Sequence, residues 1–373
     1  MTGVLFISGH AKANTGAHYR FDRLVSYSLK NNKTYWLTPK RMDIDWFKNV
    51  ITFDASYSVS AKFSYLLFLL SSIASMPALF KERKSISNII VFGEYTLTVA
   101  MLCKLLLGAK LSIGIRSNVM KRYEIQEEEI NGLKKYFYRF HFLLKKVFLK
   151  IAYLYSDQIV VQSADAKETL ISQYGMNEDK VIYIHNDLPS LDNGLKEKVN
   201  NRTYKSIPSE ILFVGNPSKI KGLDILIKAF IEAKIHNYTI SVAGVNKENI
   251  DYELLKKIEK NSKIVFLGPV TNVLELMLDY DLLVVPSRED QFPNVVLEAL
   301  ATKTPVVGSN VDGIKLMLNS EVLLFEPDVD CLSNKLRQCA NEEYYSSIIS
   351  TAVNRASGFD FHWEEKYLQL AQL

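Results

Sequence analysis

The run Pro286-Ser287-Arg288-Glu289-Asp290-Gln291-Phe292-Pro293-Asn294-Val295-Val296-Leu297-Glu298-Ala299 concentrates more chemistry than any other part of this 373-residue chain. An apolar stretch over 281–285 ends in a polar loop, and a helix is predicted to open at Pro293, where the missing N–H of proline costs nothing. The unpaired N–H groups of the residues that follow, Asn294 and Val295 first, act with the helix dipole as a seat for an anion. Two carboxylates flank that seat, Asp290 just before the helix and Glu298 within it. Asn294 and Glu298, four residues apart, share one helix face. Such a seat suits a ligand that is phosphate at one end and sugar at the other. The plainer readings are that Asp290 caps the helix and that Glu298 is a solvated helix residue.

A second candidate lies upstream. The apolar run 211–214 predicts a buried strand, followed by Gly215-Asn216-Pro217-Ser218-Lys219-Ile220-Lys221-Gly222. Glycine lets the backbone pass close to a ligand, and lysine supplies a point charge for phosphate. The Gly-x4-Gly-Lys-Ser/Thr order of a P-loop is absent.

Asp290-x7-Glu298 resembles the E-x7-E motif of family 4 glycosyltransferases, retaining enzymes of the GT-B fold. The resemblance continues through Thr304-Pro305-Val306-Val307-Gly308-Ser309, Asp312-Gly313-Ile314 and Leu323-Leu324-Phe325-Glu326-Pro327, and it covers residues 208–373 better than the rest. It implies that Asp290 contacts the donor sugar and that Glu298 contacts the nucleotide ribose, with Phe292, Pro293, Asn294 and Val295 lining the same site. Gly215 to Gly222 is similar to the family's Gly-Arg-x4-Lys-Gly loop, so Lys221 is the expected diphosphate ligand and, with Asp290, the expected catalytic group. Asn216 stands where the family has arginine, and Asp290 and Gln291 stand where it has glutamate and glycine. Asparagine donates hydrogen bonds but brings no charge; Lys219 is a possible substitute. Gly244 and Gly268 would line the same edge, and backbone near Val265 and Phe266 is expected to read the base.

On the acceptor side, Ser8-Gly9-His10 and Asn14-Thr15-Gly16-Ala17-His18 follow the first predicted strand, and Gly16 is equated with the family's glycine-rich loop. Arg116 follows another strand, where it either clamps phosphate or forms an ordinary surface ion pair. Glu94, just past Phe92-Gly93, is placed to orient an acceptor hydroxyl.

These groups need elements to hold them. Short apolar runs alternate with helical stretches throughout, which implies parallel sheets covered on both faces, built twice. Strands are predicted at 4–8, 34–37, 89–92, 110–115, 158–161 and 181–184. A second set is predicted at 211–214, 238–243, 263–267, 282–285 and 305–307. The expected organisation is an N-terminal Rossmann-like domain over 1–190, a linker over 191–207 and a nucleotide-sugar-binding domain over 208–358. A final helix over 359–373 is expected to cross back to the first domain. Ligands in open α/β sheets bind beyond the carboxyl ends of the strands, so two such domains facing a central cleft would bring donor and acceptor together.

Composition agrees with a globular protein. The net charge of +4 hides an asymmetry: residues 1–190 carry 25 Lys/Arg against 16 Asp/Glu, and the remainder 20 against 25. Three cysteines, Cys103, Cys331 and Cys339, form no ligand cluster, and neither metal nor cofactor is expected beyond the nucleotide-sugar co-substrate. The first strand begins almost at Met1, which predicts no signal peptide and a cytoplasmic location. Residues 133–155 carry Lys134, Lys135, Arg139, Lys145, Lys146 and Lys150 with no acid. At about 100° per residue these fall in one arc, opposite an aromatic and aliphatic face. That pattern predicts binding to an anionic membrane surface; the alternative is a domain helix with its apolar face on the sheet. The uncharged stretch 63–80 reaches spanning length, but its serines and Pro77 favour a buried or interfacial helix.

The leading expectation is a retaining transferase moving a hexose or N-acetylhexosamine from a nucleotide diphosphate sugar, UDP in preference to GDP, to a lipid-linked saccharide. Lipopolysaccharide O-antigen or capsule assembly is the pathway the resemblance implies, with the protein peripheral on the inner face of the plasma membrane. The alternatives are a nucleotide-sugar epimerase or hydrolase on the same fold and a catalytically silent saccharide-binding homologue. A nucleic-acid partner leaves the Asp290–Glu298 segment unexplained and is rejected.

Overall fold

A computed structural model describes residues 3–9, 16–39, 51–54, 64–128, 130–235, 237–250, 255–256, 258 and 263–371. The chain opens β1 (Gly3–Ile7), α1 (Gly16–Asn31), β2 (Lys33–Thr38), β3 (Ile51–Asp54), α2 (Ser64–Lys81), β4 (Ile86–Phe92) and α3 (Leu97–Leu107). It continues β5 (Lys110–Gly114), α4 (Val119–Glu127), α5 (Leu133–Tyr155), β6 (Gln158–Val161), α6 (Ala164–Tyr174) and β7 (Val181–Tyr183). Then follow α7 (Asn193–Asn200), β8 (Glu210–Val214), α8 (Leu223–Ala233), β9 (Thr239–Ala243), β10 (Ile264–Gly268), α9 (Val273–Leu276) and β11 (Leu282–Val285). The last elements are α10 (Asn294–Ala301), β12 (Val306–Ser309), α11 (Asp312–Leu318), β13 (Leu324–Phe325), α12 (Val329–Gln338), α13 (Glu342–Arg355) and α14 (Trp363–Ala371).

Both sheets are parallel and doubly wound, in the orders β3-β2-β1-β4-β5-β6-β7 and β10-β9-β8-β11-β12-β13. In each, the strand order reverses next to the first strand of the set, between β1 and β4 and between β8 and β11. Every strand predicted from the sequence is present to within three residues at either end, the largest difference being the earlier start of β4 at Ile86. Two others were not foreseen. β3 is four residues long and pairs with β2, and β13 is a two-residue pairing of Leu324 with Gly308 and Phe325 with Ser309. Neither is long enough to show a period.

The strands form because their side chains are apolar on both faces: Val4, Leu5, Phe6 and Ile7 are fully buried, as are Ile211 and Leu212 of β8. Each such side chain contributes about 1.5–3 kcal/mol relative to exposure.

The chain forms two compact units. The first holds residues 1–117, 132–185 and 362–373, and the second holds 118–131 and 186–361. Two segments therefore leave the sheet that their sequence neighbours build: α4 joins the second unit, and α14 joins the first. In the first unit α14 is anchored by aromatic packing. Trp363 and Tyr367 lie 5.1 Å apart and meet Phe92 of β4 at 6.3 Å and 5.5 Å, and Phe92 in turn meets Phe21 of α1 at 4.9 Å. Arg23 of α1 pairs with Glu364 at 2.5 Å.

Trp363→Ala removes the largest side chain from this cluster and is expected to cost about 3–5 kcal/mol. Urea unfolding monitored by circular dichroism should show the lowered midpoint; an unchanged midpoint would mean that α14 does not anchor the first unit.

Candidate functional site

In the second unit, the loops after β8 and β11 emerge on either side of the point where strand order reverses, the place where open α/β sheets bind ligands. The loop after β8 turns at Gly215, whose N–H donates to the Ala243 carbonyl at 3.1 Å. Gly244 has φ +86°, and a Cβ there would sit 2.5 Å from the Gly215 oxygen. The ends of β8, β9 and β10 are thus linked by backbone alone, with Gly244 N–H donating to Gly268 O at 2.8 Å.

The two loops touch through their main chains. Gly222 has φ +70°, and any side chain there would meet the Pro286 carbonyl at 1.9 Å. Glycine is required twice over, by conformation and by space. Arg288 closes the contact. Its N–H donates to Ile220 O at 2.7 Å, its Nη1 to Lys219 O at 2.6 Å, and its guanidinium forks onto both Asp224 oxygens at 2.7 Å. Burial raises the Asp224 carboxyl, but the hydrogen bonds and charge of Arg288 outweigh it and hold the group below its ordinary range. With the loops clasped, Lys221 Nζ meets the Asp290 carboxylate in an ion pair.

On its far side the Asp290 loop is held by motifs the sequence had singled out. Gly313 N–H donates to Asp290 O at 3.0 Å, and a Cβ on Gly313 would overlap the Gln291 carbonyl. Ser309 Oγ donates to Ser287 O at 2.5 Å. The Gly-Ser at 308–309 and the Asp-Gly at 312–313 therefore support the loop by backbone fit.

Several expected site residues take different positions from those the sequence suggested. Pro293 is the N-cap of α10 (φ −67°, ψ 124°), and the helix begins at Asn294. No side chain caps that end and no acid lies in its first turn, so the N–H groups of Asn294 and Val295 carry the helix dipole. Phe292 is only 4 % exposed and packs edge-on against Phe359 at 5.8 Å, which leaves only its main chain for a ligand. Val295 and Phe266 pack partly against the core. Asn294 Oδ1 accepts from Asn186 Nδ2 at 3.3 Å, and Glu298 is half-buried. Asn216 folds back on its own loop, its Oδ1 accepting from Ser218 N–H at 3.3 Å and Ser218 Oγ at 2.6 Å. It shapes the turn where a charge was expected. Lys219 pairs with Glu128 at 3.5 Å.

Sequence reasoning passed over Arg288 and Asp224, although both lie inside the quoted runs or two residues beyond them. It also passed over Glu289, a carboxyl only 3 % exposed. Burial first, then the neighbouring Asp290, pushes the Glu289 carboxyl up to about 7.

In the first unit, Gly16 opens α1, while His10, Asn14 and Thr15 lie outside the described residues. Gly93 turns with φ +81°, and Glu94 beside it forms an ion pair with Lys145 of α5. Arg116 stacks 4.3 Å from the Phe92 ring and 4.9 Å from the Trp363 ring. Its guanidinium lies against two aromatic faces. The apolar face of α5 does not pack on the sheet: only Leu149, Ala152 and Tyr153 are buried, while Phe137 is 76 % and Phe140 62 % exposed. Lys134, Arg139, Lys146 and Lys150 are exposed, and Lys135 and Lys145 are partly covered. Leu66, Leu67, Leu70 and Ile73 of α2 are exposed as well. Among the described residues, no helix is long and apolar enough to cross a membrane, and no cluster of metal-ligand side chains is present.

Residues 208–342, which carry both clasped loops, match the family described as Glycosyl transferases group 1. This segment is similar to the group 1 glycosyltransferases. An uncharacterized glycosyltransferase of Methanocaldococcus jannaschii is 33 % identical over 179 residues, 45 % of this chain and 46 % of that protein. The O-antigen biosynthesis glycosyltransferase WclY of Escherichia coli is 24 % identical over 177 residues, 47 % of this chain and 49 % of that one. The chain thus spans about half the length of the curated relatives it matches. The fold extends over the whole chain: HepE of Anabaena, solved with UDP and glucose, superimposes with a TM-score of 0.72 at 16 % identity, covering 99 % of this chain and 98 % of that one. The fold class read from the sequence, GT-B with two Rossmann-like sheets, is the fold observed.

Arg288→Ala removes the fork on Asp224 and the bond to Lys219 O, and is expected to destabilise the second unit by about 1–3 kcal/mol. Arg288→Lys should recover only part, because an ammonium cannot bridge both oxygens. Thermal melts of the three proteins rank these effects; equal melting temperatures would show that the clasp holds without Arg288.

Proposed function

We propose that the chain transfers a hexose or N-acetylhexosamine from a nucleotide diphosphate sugar, UDP in preference to GDP, to a lipid-linked saccharide, with retention of configuration. The observation that carries this is the Lys221–Asp290 pair at the strand-order reversal, beside the uncapped N-terminus of α10. A cation suited to a diphosphate beside a carboxylate suited to sugar hydroxyls supports the reading. The complex of the fold relative HepE with UDP, and the O-antigen role in the name of WclY, support the donor base and the pathway.

In this reading the donor diphosphate lies between Lys221 and the N–H groups of Asn294 and Val295, the sugar bonds Asp290, and the ribose bonds Glu298. The acceptor oxygen forms a bond to the anomeric carbon as the bond from that carbon to the phosphate oxygen breaks. The acceptor proton passes to the departing diphosphate. Lys221 stabilises the charge that develops there, an interaction stronger in the transition state than in the ground state. Asn216 supplies no second cation, so Lys221 and the helix terminus carry that task. Glu94 and Arg116 serve the acceptor: Glu94 through its loop, and Arg116 by fixing Phe92 and Trp363 beneath it.

The exposed apolar face of α5, with the cations of the same helix, and the exposed apolar residues of α2 rest on the anionic inner face of the plasma membrane. Lys145 is held by Glu94, so it joins the membrane helix to the acceptor loop instead of meeting lipid.

Calorimetric titration with UDP and GDP tests the donor half. Base-selective binding that Lys221→Ala weakens by about 100-fold is expected, in line with losing a charged contact. Binding of neither nucleotide would contradict the assignment. Product sugar released without any acceptor would favour a hydrolase or epimerase. For the membrane half, Phe137→Asp with Phe140→Asp should abolish sedimentation with phosphatidylglycerol vesicles, and undiminished sedimentation would rule this face out.

A further inference from the structure

The segment 118–131 lies in sequence between β5 and α5 of the first sheet, yet it belongs to the second unit. Three of its contacts there bear on the donor loops. The N–H of Asn118, the N-cap of α4, donates to Glu289 Oε1 at 3.4 Å. Lys121 Nζ pairs with Asp312 at 3.0 Å. Glu128, just past the helix, pairs with Lys219 at 3.5 Å. Each partner stands next to a group already placed in the donor site. Glu289 precedes Asp290. Asp312 precedes Gly313, whose N–H holds the Asp290 carbonyl. Lys219 lies two residues before Lys221 and bonds through its carbonyl to Arg288.

We infer that α4 is a working part of the donor site, a brace that ties together the three loops supporting Lys221 and Asp290, with Lys121, Glu128 and Glu289 as its positioning residues. The inference rests on the donor-site reading above and adds to it an element that neither the strand pattern nor the sequence motifs include. No one of the three contacts is strong, since most of these side chains are partly exposed. Their effect comes from where they act: the loops carry side chains that must meet a ligand to within fractions of an ångström, and small drifts there are costly.

The Glu289 contact also depends on pH. Burial and Asp290 raise its carboxyl to about 7, Asp312 adds to the rise, and the Asn118 N–H and Arg122 oppose it. A folded-state value above the ordinary one means that the stability this group contributes is full below the usual carboxylate range and is lost as pH rises through about 7. Above that point an ionised Glu289 sits beside the seat proposed for an anion and should weaken anion binding.

The test uses UDP as the probe with the full chain. Lys121→Met combined with Glu128→Gln should weaken UDP binding about tenfold, and Lys121→Arg should leave it near wild type. Glu289→Gln keeps an acceptor for Asn118 without the charge. Its UDP affinity should match wild type near pH 6 and exceed it near pH 8, a difference that a merely structural role would not produce. Variants that bind UDP as wild type does at both pH values would overturn the inference alone. A wild-type chain that binds neither UDP nor GDP would overturn the donor-site reading and this inference with it.

Discussion

The second unit is organised around a constraint of parallel sheets: where strand order reverses, the loops from the two adjacent strands run to opposite faces and leave their main chains exposed between them. β8 and β11 meet this condition, and the chain fills the gap with its own backbone, Gly222 against the Pro286 carbonyl. That contact tolerates no side chain, so the positions of Lys221 and Asp290 follow from it before any ligand is considered. Arg288 then adds directional bonds across the same seam, and the glycines at 215, 244, 308 and 313 let the surrounding strands and helices close in. Ion pairing between Lys221 and Asp290 results from this clasp instead of causing it.

The parts legible in the sequence were those with a strong local signal. β8 and β11 announce themselves as apolar runs ending in glycine or proline, and Glu298 lies on α10 with Asp290 in the loop before it, as the motif required. Pairings with no local pattern escaped notice: β13 is two residues long, and its place depends on β12 lying beside it. Pro293 suits both a first helical turn and a cap, and only the backbone angles distinguish the two. Phe292 looked like a site residue because of its neighbours, yet an aromatic ring beside Phe359 is more stable in the core than against a polar ligand. Membership of α4 in the second unit was out of reach, because contacts such as those of Asn118, Lys121 and Glu128 join residues far apart in the chain and leave no sequence spacing to read.

Charge divides the chain in a way that matches this arrangement. The excess of cations lies in residues 1–190, and much of it lines α5, whose aromatic side chains face solvent. Leaving nine large apolar residues of one helix exposed is unfavourable in water unless something covers them. The proposed seating on an anionic bilayer surface would satisfy both the apolar face and the cationic side of the helix. Glu94, through Lys145, ties that helix to the loop after β4, the loop that the proposed function assigns to the acceptor.

The most direct measurement is a crystal structure of the chain with UDP bound. The account predicts diphosphate oxygens within hydrogen-bonding distance of Lys221 Nζ and the N–H groups of Asn294 and Val295, with the ribose on Glu298. UDP seated elsewhere, with the Lys221–Asp290 pair undisturbed, would contradict it.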